Sequence, residues 1–216
     1  FTGPAGSGRS NLAKSFAAAL QCAEDGCGQC QQCRLVKADA HPDVSMLVTD
    51  RVVISIEEVR DLVARSSMAT TVGDYRVIII EDADRMAERT SNVLLKALEE
   101  PAEKVVWILC APSVSDLLPT IRSRTRNINL RLPSIDEVAA LLVQRDGVAL
   151  DLARKSALLA QNHVGMARRL ALSSDARARR SETLRVLMSI SNLSSAMVAA
   201  EKLLGVAKRD AEASSA

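Results

Sequence analysis

Two rhythms of apolar and polar positions divide this chain. In its first part, short unbroken apolar runs end at polar or acidic residues. "YRVIIIEDADRM" and "KVVWILCAP" are of this kind and predict two fully buried parallel strands. Helical spacing lies around them. Leu12, Phe16 and Leu20 recur every fourth residue and predict a helix over residues 10–20 with that stripe inward. In "VVISIEEVRDLVARSSM", Ser55 followed three residues later by Glu58 reads as a capping box at a helix start. "SNVLLKALEEP" predicts a helix from Ser91 that Pro101 stops, and "LLPTIRSR" a short helix with Pro119 in its first turn. Near residues 132–134 the rhythm changes. Ser134 and Glu137 form a second capping box, and only helical periodicity follows through Leu204. The final "KRDAEASSA" has no apolar period and is expected to fray. The pattern predicts a three-layer α/β domain over about residues 1–131 and an all-helical part after it.

Composition changes this picture little. The 216 residues suffice for one large domain or two modest ones, and with only 2% aromatic residues the core must come from Leu, Val, Ile and Ala. A net charge of +2 does not by itself argue for nucleic acid. No apolar run approaches the ~18 residues of a membrane span. A cytoplasmic protein with no membrane partner is expected.

The opening "FTGPAGSGRS" supplies the first candidate chemistry. Gly3, four residues, Gly8, a basic residue and Ser10 follow the phosphate-loop pattern, except that Arg9 stands in the place of lysine. Glycines let backbone N–H groups crowd a phosphate, and the following helix turns its positive end toward the anion. A buried strand leads into such a loop, and only Phe1 and Thr2 precede Gly3, so a first strand is expected to be missing. The strand end Glu81-Asp82 falls where phosphate-loop ATPases carry a magnesium-holding aspartate and then a water-orienting glutamate. Here the order is reversed, with one side chain a methylene too long and the other a methylene too short. Two acids capping a strand is the plainer reading of the same residues.

Five cysteines sit at 22, 27, 30, 33 and 110. Cys22, Cys27, Cys30 and Cys33 offer four thiolates from a short polar segment, enough to close a tetrahedral structural Zn²⁺ site. Cys110 reads as core, and His41 and His163 as isolated surface or core residues.

Together these motifs resemble a family. A phosphate-loop helix, a four-cysteine insertion, "IIIEDADRM", "LLKALEEP", "LLPTIRSR" and a helical segment with "GMAR" are similar to the bacterial clamp-loader AAA+ subunits of DNA polymerase III, over residues 3 to about 172. The resemblance implies an AAA+ domain over 1–131 with a zinc insertion at about 22–33, a helical lid over 132–180, and the start of a helical collar or a tail over 181–216. It implies a hetero-pentameric ring with gamma/tau and delta subunits that loads the sliding clamp on primed DNA. ATP with Mg²⁺ would be hydrolysed at subunit junctions, within a DNA polymerase holoenzyme.

In that family the neighbouring subunit completes each site with an arginine. Ser123-Arg124 matches that motif, with Thr125 in place of a cysteine, and Arg168 of "GMAR" matches the lid's nucleotide-sensing arginine. Gly3, Gly8, Arg9, Ser10, Glu81, Asp82 and Arg168 would then form the chain's own nucleotide site. Three departures mark that site as degenerate: Arg9, the reversed acids, and Ala111-Pro112 where a polar sensor belongs, with Ser113 close by. The expectation is a delta-prime-type subunit, not a competent ATPase alone, with Arg124 acting in trans. The alternative is a gamma/tau-type motor with its own ATPase. Two further readings, a zinc-lidded nucleoside monophosphate kinase and a zinc-stabilised DNA-binding module, stand behind these. Arg122, Arg124 and Arg126 also fit an ordinary solvated basic face.

Overall fold

β2 (Arg76–Ile80) is buried along its whole length because both of its faces are covered. In the computed structural model, which describes residues 1–215 and the side chains of residues 1–211, β2 is the central strand of a parallel sheet. β1 (Val44–Leu47) lies on one side, with Val44 opposite Val77 and Leu47 opposite Ile80. On the other is β3 (Val105–Leu109), with Ile78 opposite Trp107 and Ile80 opposite Leu109. Alternation along β2 splits the core in two. Val77 and Ile79 pack toward α1 (Arg9–Gln21) and α2 (Gln31–Lys37), meeting Ala13, Ala17 and Val36. Ile78 and Ile80 face the other way, toward Val59 and Leu62 of α3 (Ile56–Ser66) and Leu94 of α4 (Glu88–Glu99). The first unit, Phe1–Leu132, is therefore a three-layer α/β sandwich. Thr2, just ahead of the glycine loop, bridges in parallel to Ala111 and to Asn129.

Several local expectations hold for the reasons given. Ser55 Oγ accepts from the Glu58 N–H while the Glu58 carboxylate accepts from the Ser55 N–H, and Ser134 with Glu137 repeats the arrangement. Pro119 occupies the first turn of α5 (Pro119–Arg122).

Other details differ. The inward face of α1 carries Ala13, Ala17 and Gln21, while Leu12 and Phe16 are 37% and 44% exposed. Small side chains let the helix axis approach the sheet, so the alanines win the buried positions from their larger neighbours. Phe16 rests edge-on against Phe1 instead, with ring centroids 6.3 Å apart. α4 begins at Glu88, three residues before Ser91, and its Thr90 and Ser91 are buried. Neither β1 nor α2 was expected. β1 is only four residues long, and the last three residues of the cysteine segment form the first turn of α2.

A buried ion pair fastens β1 to the loop before β2. Asp43, fully buried, accepts backbone N–H bonds from Thr71, Val72 and Gly73 at 2.7–2.8 Å and faces Arg76 Nη2 at 3.2 Å. Burial alone would push its carboxyl up. The three N–H groups and the guanidinium outweigh that and hold it below the usual aspartate range.

The second unit, Pro133–Ala216, is helical: α6 (Ile135–Asp146), α7 (Leu150–Leu159), α8 (Val164–Leu172), α9 (Ser174–Met188) and α10 (Leu193–Ser215). Its core joins Val138, Leu142, Val148 and Leu170 to a set of alanines that includes Ala153, Ala157 and Ala167. His163 caps α8, its Nδ1 accepting from the Met166 N–H at 3.3 Å. The tail expected to fray is helical through Ser215, and Ala216 lies outside the described residues. Asp210 anchors it, 2.5 Å from Arg169 and 2.9 Å from Arg179. Among the described residues no helix is long and apolar enough to cross a membrane.

Candidate functional site

The glycine loop has the backbone that its sequence requires. Gly3, Gly6 and Gly8 all have positive φ, and a Cβ on Gly3 would lie 2.6 Å from the Leu130 carbonyl oxygen and 2.7 Å from Ser7 Oγ. The Gly3 N–H donates to the carbonyls of Ala111 and Pro112 at 3.3 and 3.2 Å, which ties the loop to the end of β3. Ser7 Oγ is buried without a hydrogen-bond partner. The loop runs straight into α1, whose first residues are Arg9 and Ser10.

Both of those residues turn to the end of β2. Ser10 Oγ donates to Glu81 Oε1. Arg9 Nη1 folds back onto the carbonyl oxygen of Gly3, and Arg9 Nη2 faces Asp82 Oδ1 at 3.4 Å. The guanidinium thus lies across the loop with its side chain only 11% exposed. Asp82 has a left-handed backbone (φ 48°) and also pairs with Arg85 at 3.0 Å. The structure therefore brings Gly3, Gly8, Arg9, Ser10, Glu81 and Asp82 into one cluster. The first acid meets the hydroxyl at the helix start, and the second meets the arginine in the lysine position. The buried, orphaned Ser7 Oγ and the glycine cradle fit an anion. Arg9, already satisfied by its own chain, does not leave that cradle open. Ala111 is buried and has no polar side chain, and Ser113 Oγ accepts from the Ser115 N–H at 3.3 Å and lies 2.8 Å from Ser115 Oγ.

The four cysteines converge. Their Sγ atoms all lie within 4.8 Å of one another, with Cys22 3.7 Å from both Cys27 and Cys30. Four sulfurs each ~2.3 Å from a tetrahedral zinc stand ~3.75 Å apart, so the donor set fits that ion. Cys30 doubles as N-cap of α2, its Sγ accepting from the Cys33 N–H at 3.4 Å; the Cys30 N–H in turn donates to Cys27 Sγ at 3.3 Å. Such N–H···S bonds orient and stabilise thiolates. The Cys27, Glu24 and Gly26 N–H groups bring the Cys22 thiol down to about 6, whereas burial pushes Cys33 up to about 12. Bound zinc would keep all four as thiolates and hold α1 and α2 together. Cys110 is buried core, its thiol pushed up by burial.

Arg124, just past α5, is engaged by its own chain. Its Nε donates to Glu99 Oε1 at 2.6 Å, and Nη2 contacts the same oxygen. Nη1 donates to the Thr120 carbonyl at 2.9 Å and to Ser123 Oγ at 3.2 Å. The Arg122 and Arg126 side chains make no such contacts among the described residues. Glu99 was not anticipated, although an acidic pair closing a helix ahead of Pro101 is a visible signal for a cationic partner. Arg168 belongs to the helical unit, where its Nε lies 2.9 Å from Asp146 Oδ1 and Arg145 holds the other oxygen. His41 is buried, its Nδ1 accepting from the Asp43 N–H at 3.1 Å, and its pKa is lowered by burial.

Comparison with known proteins adds the lineage. Residues 1–134 match the family described as DNA polymerase III, delta subunit. The chain is 36% identical over 159 residues to the DNA polymerase III subunit delta' of Pseudomonas aeruginosa, an alignment covering 69% of this chain and 48% of that protein. It is 31% identical to the DNA polymerase III subunit gamma/tau of Mycobacterium tuberculosis, covering 70% of this chain and 28% of the other. The aligned part thus spans half or less of these relatives' length. The Holliday junction branch migration motor RuvB of Thermotoga maritima shares the fold, with a TM-score of 0.52 at 16% identity over 94% of this chain and 60% of that one.

Proposed function

Because this chain belongs to the DNA polymerase III, delta subunit family, we propose that it is a delta-prime-type clamp-loader subunit, and not the ring's motor. Its expected setting is cytoplasmic, in a hetero-pentameric ring with gamma/tau and delta subunits, on the sliding clamp and primed DNA. On this reading residues 1–131 are the AAA+ domain, 132–180 the lid and 181–216 the start of a further helical collar region or a tail. Gly3, Gly8, Arg9, Ser10, Glu81 and Asp82 form a degenerate nucleotide site, Arg168 takes the family's nucleotide-sensing place in the lid, and Ser123-Arg124 completes the ATP site of a neighbour.

The observation that supports this best is the closure of the phosphate loop on itself. In a working site a compact ammonium reaches outward to the terminal phosphates. Here the cation in that position is bonded to Gly3 O and Asp82. An incoming nucleotide must displace both contacts, and the acid that would orient water is tied up in the same pair. Arg124, by contrast, is exposed just past the end of α5, where a guanidinium can meet a phosphoryl group of another chain.

The test has two parts: turnover by the isolated chain with Mg²⁺ and DNA, and assembly on mixing with gamma/tau and delta subunits. No turnover together with a stable ring is expected. Turnover at a motor's rate would instead favour the gamma/tau reading. One contact speaks for that reading, since Ser10 Oγ on Glu81 pairs a hydroxyl and a carboxylate as a magnesium site needs.

A further inference from the structure

Arg124 uses its nitrogens unequally. The edge formed by Nε and Nη2 rests on a single charged oxygen, Glu99 Oε1. The other end, Nη1, rests on two neutral acceptors, the Thr120 carbonyl and the longer contact to Ser123 Oγ at 3.2 Å. An ion pair adds Coulomb attraction that a bond from the same guanidinium to an uncharged acceptor lacks, so an arriving phosphate oxygen displaces the contacts to Thr120 and Ser123 first. Glu99 would stay in place, and the Nη1/Nη2 end of the fork would be the part presented.

Glu99 is also placed to need this partner. It is the last residue of α4, and Glu100 follows as its C-cap. Two carboxylates thus sit at the negative end of the helix dipole, which disfavours them. A guanidinium against Glu99 relieves that, and the relief is lost if Arg124 leaves altogether. The contact ties the end of α4 to the end of α5, two elements that pack together within the first unit. Arg122 and Arg126, two residues to either side, lack any such brace among the described residues.

We propose that Glu99 is a positioning residue: it clamps one edge of Arg124 so that the opposite end of the guanidinium faces out to take a phosphoryl oxygen from a neighbouring subunit, with Ser123 Oγ as the placeholder that gives way. This rests on the reading of Arg124 as a trans-acting arginine. Guanidinium orientation governs how well it meets charge that develops only in the transition state. Loss of the clamp should therefore act on kcat and leave KM for ATP little changed.

The experiment compares rings assembled from purified gamma/tau and delta subunits with the full chain as wild type, Glu99→Ala, Glu99→Gln, Arg124→Ala and the double variant. DNA-stimulated ATP hydrolysis is measured against ATP concentration, with the melting temperature of each free chain. Glu99→Ala should lower the kcat attributable to the junction by on the order of tenfold at unchanged KM. Glu99→Gln should recover part of the loss, because its amide oxygen still accepts from Nε. The double variant should be no worse than Arg124→Ala alone, since the clamp has nothing left to hold. A Glu99→Ala ring as fast as wild type, or faster, overturns the proposal while Arg124→Ala remains slow. Additive losses in the double variant also overturn it, by assigning Glu99 a separate role. An Arg124→Ala ring that is fully active, or a wild-type chain that enters no ring, defeats the trans-acting reading itself.

Discussion

Arg9 reaches Asp82 across the mouth of its own glycine loop, Nη2 to Oδ1 at 3.4 Å, with its other terminal nitrogen on the Gly3 carbonyl. On the proposed reading, the pair leaves the loop with neither an outward cation nor a free acid to orient water. ATP hydrolysis by the isolated chain should be absent on the scale of a motor subunit. Arg9→Lys should not restore it, because Glu81 and Asp82 remain in reversed order and Ala111 offers no polar sensor. A phosphate-release assay with Mg²⁺ and DNA checks both, and rescue by Arg9→Lys alone would show that the acids are serviceable.

Zinc content is the second check. Protein purified without chelator should contain about one zinc per chain, bound by Cys22, Cys27, Cys30 and Cys33. Cys33→Ser should abolish it. Removing the metal with a strong chelator should expose the thiols to titration and loosen α2, whose N-cap is itself one of the sulfurs. Full thiol reactivity without any metal in the purified protein argues against the site.

For the assembled ring, Arg124→Ala should leave the fold and assembly intact and lower ATP hydrolysis and clamp loading. Comparable arginines elsewhere are worth on the order of 10³ to 10⁵ in rate at the site they serve, and here one junction among several would lose it. Arg124→Lys should recover little, since an ammonium has no planar fork. Arg126→Ala, which removes an unbraced neighbour, should be mild. Equal activity of Arg124→Ala and wild-type rings would return this residue to the solvated basic face.

Asp43 sets a pH dependence. Its folded-state pKa is lowered, so it contributes stability that is present above the ordinary aspartate range near pH ~4 and is lost as the pH falls through the lower folded value. Asp43→Asn leaves Arg76 buried without its counter-charge and should cost about 3 to 5 kcal/mol at neutral pH. Denaturant melts at several pH values should show the gap between wild type and variant narrowing on acidification. A gap that stays constant down to pH ~3 would mean that the carboxylate charge is not what holds the loop.

How much of this was legible in the sequence depended on the range of the interaction. Ser55 with Glu58, Ser134 with Glu137, and the four cysteines signal through short spacings, and each assembles as its pattern demands. β2 declares itself because burial on both faces makes a continuous apolar run. What could not be read was set by distant partners. The inward face of α1 falls to Ala13 and Ala17 because closeness to the sheet matters more there than side-chain size, and β1 has too few residues to show a period. Asp43 and Glu99 look like surface acids until the fold brings Arg76 and Arg124 to them across 33 and 25 residues. At the glycine loop, residue identities pointed to a defect, but only the geometry showed Arg9 bonded back to its own loop.

The alanine-and-aliphatic core of the helical unit has a practical corollary. The chain's aromatic side chains, Phe1, Phe16, Tyr75 and Trp107, all lie before residue 133, and the lone tryptophan stands on β3 against the central strand. Ultraviolet emission and near-ultraviolet dichroism therefore originate in the α/β unit, whereas helical ellipticity at 222 nm draws on both. Tryptophan emission follows the unfolding of the sheet with no label or added probe, and a 222 nm transition that does not coincide with it shows that the chain does not unfold in one two-state step.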